Sequence, residues 1–210
     1  MMLLIRCNHD LQTSYLYSYT DELVAYAKEH HVSVTIIEDR QMDANSIASR
    51  IQKTKPRLIF FNGHGSKTAL FNSGQDECIN IESAQLFEHT IAYTIACDAL
   101  ISLGSAAVAK GCDAFIGYDK PFWIARNHKY ESRPLEDPVA KPILECSNLI
   151  VKSLLKGNTV GESIRKSREK AADNIMKLVF SKELLAPASL QALIANDEAL
   201  GFKGDESVKL

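Results

Sequence analysis

The 210-residue sequence has no Cys-x-x-Cys pair, no His-Glu-x-x-His run and no tight Cys/His spacing, so the usual sequence marks of a zinc site are missing. A Gly-x-x-x-x-Gly-Lys-Ser/Thr phosphate loop is absent too; the run GSAAVAKG sits inside a helical pattern of small residues. There is no Gly-x-Ser-x-Gly elbow, which weighs against a small serine hydrolase. No apolar stretch approaches the length of a bilayer span. The N-terminal run MMLLI is short and no small-residue cleavage site follows it. These absences set the expectation of a soluble, cytoplasmic protein with no membrane partner. Charge of one sign is also lacking. The 24 Lys and Arg and the 26 Asp and Glu leave a net charge of -2, without the broad basic field that binds nucleic acid. The segment RKSREK is interleaved with acids and reads as a solvated helix face. The five cysteines, Cys7, Cys78, Cys97, Cys112 and Cys146, are odd in number and scattered, which argues against a disulfide framework and for free thiols in a reducing compartment.

What is present is an ordinary globular composition, 46% apolar and 24% charged, enough for one sizeable core. One domain over residues 1–210 is expected, without repeats or linkers. MMLLIR reads as a first strand and residues 15–29 as a helix. HVSVTIIE is β-branched and strand-like. MDANSIASRIQKTK carries a helix cap at Asp43 and closes before Pro56, after which RLIFF is a third strand. A hairpin around ALFNSGQDECI and a short helix from Ser83 follow. TIAYTIA and CDAFIGY are two further strands, separated by a small-residue helix beginning directly after Cys97. Residues 119–138 form a loop or lid punctuated by Pro121, Pro134 and Pro138. Three C-terminal helices and a final short strand in GFKGDESVKL complete the pattern. Alternating strands and helices with short links predict an α/β three-layer sandwich with a mostly parallel central sheet.

Two apolar runs end in reactive residues. RLIFFNGHGS places His64 between two glycines past the third strand, and IAYTIACDAL places Cys97 past the next core strand. Ligands gather beyond the carboxyl ends of parallel strands, so neighbouring strands would bring the two side chains into one crevice. A histidine can take the proton of a thiol or pair with a thiolate. A helix starting after Cys97 would lower its pKa. Gly65, lacking a side chain, lets its N–H approach a substrate carbonyl, and Gly63 permits a tight exit from the strand. Asn62 is read as bonding across the turn. As bland alternatives, His64 is a turn residue and Cys97 packing.

LIFFNGHG, IAYTIACDA and LGSAAVAKGCDAFIGY together resemble the caspase-like cysteine peptidases, nearest their CHAT or gingipain-like branch. TVGESIRKSREKA resembles the helix after that family's catalytic core, and LGFKGDESVKL its closing strand, with Glu206 where that branch commonly has proline. The resemblance implies a caspase-hemoglobinase fold and endopeptidase chemistry without a cofactor. It implies Cys97 as nucleophile, His64 as its partner, and the Gly65 and Cys97 amides as oxyanion donors. The Gln-Ala-Cys-Arg/Gln-Gly pattern of caspases is replaced by TIACDAL, so Asp specificity is not implied. Partners implied are a protein or peptide substrate and an activating protein; a catalytically inactive interaction module is the alternative.

Several relatives cleave after Arg or Lys. Asp98 beside the nucleophile, Asp10 after the first strand and Asp119 after the fifth are candidate acids for a basic substrate side chain; each has the alternative of facing water or capping a helix. Phe122 and Trp123 are candidates for a pocket or lid, alternatively covering the sheet edge, and Trp123 is expected to be buried against the core rather than to act as a ligand platform. Convergence of His9, Asp10, His64 and Cys97 on a metal lacks support from spacing, so no metal is expected.

Overall fold

Strand residues divide between two cores with period two, and that alternation builds the molecule. The computed structural model describes residues 1–38 and 41–210. The strands are β1 (Met2–Arg6), β2 (Val34–Glu38), β3 (Leu58–Asn62), β4 (Ala69–Phe71), β5 (Glu77–Asn80), β6 (Ile91–Ile95), β7 (Ala114–Tyr118) and β8 (Leu200–Gly204). Six of them form one sheet in the order β2–β1–β3–β6–β7–β8, and β4 and β5 form a separate hairpin. The first five strands of that sheet are mutually parallel; β8 joins β7 antiparallel at the edge. The helices are α1 (Leu11–Glu29), α2 (Ala44–Thr54), α3 (Leu103–Ala109), α4 (Lys141–Leu155), α5 (Val160–Val179) and α6 (Ala186–Ala199).

Leu4, Phe60, Tyr93 and Ile116 face a core closed by α1, α4, α5 and α6. Their neighbours Leu3, Phe61, Ala92 and Phe115 face a second core closed by α2, α3 and the β4–β5 hairpin. Adjacent residues thus serve opposite layers, as the pleat requires. Burying Phe60 and Phe61 contributes roughly 1.5–3 kcal/mol each. A one-residue slip of β3 would exchange the two rings between layers, so register is strongly specified. The expected three-layer sandwich is the observed fold.

Local signals place the helices. Asp43 accepts the Ser46 N–H at 2.9 Å and starts α2, and Lys55, left-handed at φ 44°, ends it before Pro56. Thr159 and Glu162 form a reciprocal capping box at the start of α5, satisfying two otherwise orphaned amides. Gly157, at φ +81°, terminates the turn after α4. The hairpin and the final strand stand where expected.

Two boundaries differ from expectation. Helix α1 starts at Leu11 rather than at residue 15, because Asp10 and Thr13 cap each other. Helix α3 does not follow Cys97 directly. Residues 97–102 form turns, and α3 begins only at Leu103. The Ser102 and Leu103 N–H groups both donate to the Lys67 carbonyl, and Leu100 N–H donates to Tyr118 O. These long-range bonds hold the segment away from a helical path. Residues 119–138 form the expected loop, carrying only short 3-10 turns at His128–Tyr130 and Pro134–Glu136. The fully buried Asp137 fixes it, accepting from Tyr15 Oη at 2.7 Å and from the Asn127 and Val139 N–H groups at 2.8 Å.

Candidate active site

Strands β3 and β6 are paired from Leu58↔Ile91 to Asn62↔Ile95. His64 and Cys97 each stand two residues beyond the last pair. Equal offsets from a shared register bring them out side by side at the carboxyl edge. They line one crevice together with Gly63, Thr13, Phe122 and Ile124, with room for about one water molecule. The Gly63 N–H donates to Ile95 O at 3.2 Å and extends the ladder past β3. The hairpin then braces the histidine loop: Phe71 N–H donates to His64 O at 3.0 Å, and Ser66 N–H to Ala69 O at 2.8 Å.

The two glycines are there for close approach. A Cβ on Gly65 would lie 2.8 Å from Ala96 Cβ and 3.4 Å from Cys97 O. One on Gly63 would lie 2.7 Å from Cys7 Sγ. Neither glycine has a positive φ, so Gly63 serves packing against Cys7 rather than a tight exit. Among the described residues, no backbone carbonyl takes up the N–H of Gly65 or of Cys97; both remain available as donors. Asn62 bonds to α1 rather than across its turn: its Nδ2 donates to Leu16 O at 3.0 Å.

His64 Nε2 lies 2.6 Å from Asp10 Oδ2. The contact follows from topology, since β1 lies beside β3 with Arg6 paired to Asn62. The carboxylate divides its work. Oδ1 accepts the Thr13 N–H at 2.8 Å and Thr13 Oγ1 at 2.9 Å, while Oδ2 meets the imidazole. Burial alone would raise the Asp10 pKa, but the bonds from Thr13 and His64 outweigh it and hold the group down to about 2. An ionised carboxylate only accepts, so Nε2 carries the hydrogen of that bond. In neutral His64 the free lone pair is then on Nδ1.

Cys97 is half-buried. Burial pushes its thiol pKa up and the charge of Asp98 adds to this, while the Phe122 backbone N–H acts in the opposite direction. The expected helix dipole does not contribute, because α3 starts six residues further on. Cys78, Cys112 and Cys146 are buried and pushed up to about 12, and Cys7 is also buried.

The other sequence candidates are spread more widely. Asp98 is half-buried and left-handed at φ 58°. Its side chain caps no helix, and no cation pairs with it among the described residues. Asp119 is exposed, with its N–H bonded to Ala199 O. Trp123 is 55% exposed and Phe122 8%, so it is Phe122 that packs inward, contrary to the expectation of a core tryptophan. Asn196 explains the inversion. It accepts the Trp123 N–H and donates to Trp123 O, both at 2.8 Å, fixing this extended segment with Phe122 inward. Trp123 lines a separate groove against Ala188, Gln191 and Ala192 of α6. Thus His64, Cys97 and Gly65 come together and Asp10 joins them through the imidazole, while Asp119 is exposed and Trp123 lines a separate groove.

No family model and no curated protein matches the sequence. Among solved structures, the crystal structure of the Arg-specific cysteine proteinase gingipain R superposes with a TM-score of 0.64 at 13% identity. This is the gingipain fold. The match covers 100% of the chain and 47% of gingipain R, so the chain spans about half the length of that proteinase. At this identity the likeness establishes the gingipain fold and leaves side-chain roles to local geometry. None of the helices among the described residues is long and apolar enough to cross a membrane.

Sequence reasoning missed the Asp10–His64 contact. A signal was present in Asp10-x-x-Thr13, a capping pair just ahead of the α1 pattern. It would have moved Asp10 from a loop to a fixed helix cap.

Proposed function

We propose that the chain is a cysteine endopeptidase of the caspase-like group, nearest its CHAT or gingipain-like branch. Cys97 is the nucleophile and His64 its proton-transfer partner. The carrying observation is the equal register offset of the two residues on adjacent parallel strands, which brings them into one crevice. His64 Nδ1 accepts the Cys97 proton as sulfur attacks the peptide carbonyl carbon. The Gly65 and Cys97 amides receive the oxyanion. The C–N bond breaks as His64 returns the proton to the leaving amine, and water then hydrolyses the thioester, regenerating the thiol. Asp10 holds the imidazole in the tautomer this sequence needs.

Asp98 is the leading acid for a basic residue preceding the scissile bond. It adjoins Cys97, and among the described residues no cation pairs with it. Gingipain R is an Arg-specific cysteine proteinase; for this chain a preference for Arg or Lys is proposed on the charge of Asp98, with Asp10 committed to His64. A fluorogenic library with Arg, Lys, Asp and Leu before the cleavage site tests this. Cleavage is expected after Arg and Lys. Asp98→Asn is expected to reduce that cleavage and, by removing a negative neighbour, to shift the pH profile of Cys97 alkylation to lower pH. Unchanged specificity and an unchanged profile would refute the assignment.

A second reading has one observation behind it. Phe122 and Ile124 leave the crevice little room, and burial raises the thiol. An inactive interaction module, or an enzyme opened by an activating partner, fits that state. A substrate-like electrophile too large for the resting crevice distinguishes them: reaction with Cys97 requires an enzyme that opens.

Asp10→Asn keeps a cap oxygen but removes the charge that fixes the tautomer, and turnover is expected to fall roughly tenfold or more. The pH dependence of stability supplies a separate test. Asp10 lies below its ordinary value near 3.8, so its stabilisation is fully present above that value and is lost as pH falls toward about 2. The stability gap between wild type and Asp10→Asn should therefore close across that acid window in melting curves.

A further inference from the structure

We infer that His9, Asp10 and His64 form a transition-metal site, of the zinc class, that switches the candidate active site off. The binding half of this inference stands on the ligand geometry alone; the switching half rests on the peptidase reading.

The three residues offer two imidazole nitrogens and a carboxylate oxygen, with the ligand atoms within 4.8 Å of one another. His9 Nε2 lies 3.6 Å from Asp10 Oδ2, and His64 Nε2 lies 2.6 Å from the same oxygen. Zinc held at about 2.0–2.1 Å from each tetrahedral ligand separates ligand atoms by about 3.3 Å. The present spacings bracket that figure. Seating the ion requires the Asp10–His64 hydrogen bond to open by less than about 1 Å and the two imidazole nitrogens, now within 4.8 Å, to settle at about 3.3 Å, adjustments open to side chains on loops.

The supporting shell is already built. Thr13 Oγ1 accepts the N–H of both His9 and Asp10 at 3.1 Å, fixing the backbone of two successive ligands. The cap also ties Asp10 Oδ1 to the end of α1 and leaves Oδ2 facing the imidazoles. A hydrogen-bonded, oriented carboxylate is what an outer shell supplies to a metal site. The His9 and His64 rings meet edge to face with centroids 5.3 Å apart, so both already border the same space. The positive end of α1 disfavours a cation, but the ionised Asp10 carboxylate places a full negative charge between helix and ion. Two imidazoles and one carboxylate suit zinc and its neighbours in the first transition row better than calcium or magnesium.

The consequence for His64 follows from proton count. In the neutral ring, Nε2–H faces Asp10 and Nδ1 carries the lone pair. A metal on Nε2 displaces that hydrogen, and the neutral ring then carries its proton on Nδ1. The lone pair needed to accept the Cys97 proton is gone, without any bond between the metal and sulfur. Cys97 lies outside the ligand set, so the device acts on the base rather than on the nucleophile.

The test is zinc titration of the full chain against a chromophoric chelator, with cobalt absorption reporting coordination. One ion per chain is expected, weakened about tenfold or more by His9→Ala and retained by Cys97→Ala. In His9→Ala, the zinc concentration for half-inhibition, read against that variant's own metal-free rate, should rise by a similar factor. Thr13→Ala, which removes no ligand, controls for loss of the cap. Binding that is lost in Cys97→Ala but unchanged in His9→Ala would put the ion on the thiol and overturn the proposal; so would no binding at all. Binding as expected in a chain that cleaves no peptide would retain the site and reject the peptidase reading, which separates the two.

Discussion

Cys97→Ala is expected to abolish labelling by an arginyl acyloxymethyl ketone, and His64→Ala to lower peptide turnover by about 10²–10⁴. The first result follows from the contrast among the thiols. Burial pushes Cys78, Cys112 and Cys146 up to about 12, against an ordinary value of 9.0, and keeps all three inert toward alkylation. Cys97 is the one of the five that is not fully buried, and it borders the crevice that His64 lines. Burial raises its pKa, so in the proposed mechanism the proton leaves as the sulfur attacks. Hence His64 should matter more for peptide turnover, where a proton is taken and then returned to the amine, than for alkylation by iodoacetamide, which needs the thiolate only. Mass mapping of the label and a comparison of the two rates check this. Equal labelling of all five cysteines, or equal loss of both rates in His64→Ala, would remove the case for a proton-transfer pair.

The convergence of His64 and Cys97 was legible because each follows an uninterrupted apolar run, and such runs in an alternating α/β pattern end at one rim. The same uninterrupted runs, LIFF and IAYTI, suit strands covered on both faces, and Phe60 and Phe61 fill opposite sides. What escaped depended on strand order. Nothing local says that β1 lies between β2 and β3, yet that adjacency carries Asp10 to His64. The error after Cys97 has a different origin. DALISLGSAAV has helical composition throughout, but Asp98 sits at φ 58° and the Lys67 carbonyl captures two amides from across the molecule. Tertiary hydrogen bonds therefore override propensity for six residues. Trp123 was misplaced for a similar reason. In an extended segment inward and outward positions alternate, and only the Asn196 clamp decides which of Phe122 and Trp123 turns in.

Gly65→Ala carries the second large effect and tests the site at its backbone. The new methyl would meet Ala96 Cβ at 2.8 Å, with Ala69 O at 3.3 Å and Cys97 O at 3.4 Å. None of these is the end of a flexible side chain, so the histidine loop must lift from β6. Overpacking of this kind costs about 1–3 kcal/mol of stability. The same displacement moves the Gly65 N–H relative to Cys97, and losing one oxyanion donor lowers kcat by about 10²–10³. Because that donor acts on charge developed in the transition state, KM should change far less than kcat. Ala96→Gly in the same chain removes the nearest obstacle and should recover stability more than turnover, since the two carbonyl contacts remain. A double-mutant cycle with melting and rate measurements separates the terms. If Gly65→Ala melted and turned over like wild type, the close approach that joins the His64 loop to Cys97 would not exist, and the Gly65 amide would have no claim to the oxyanion.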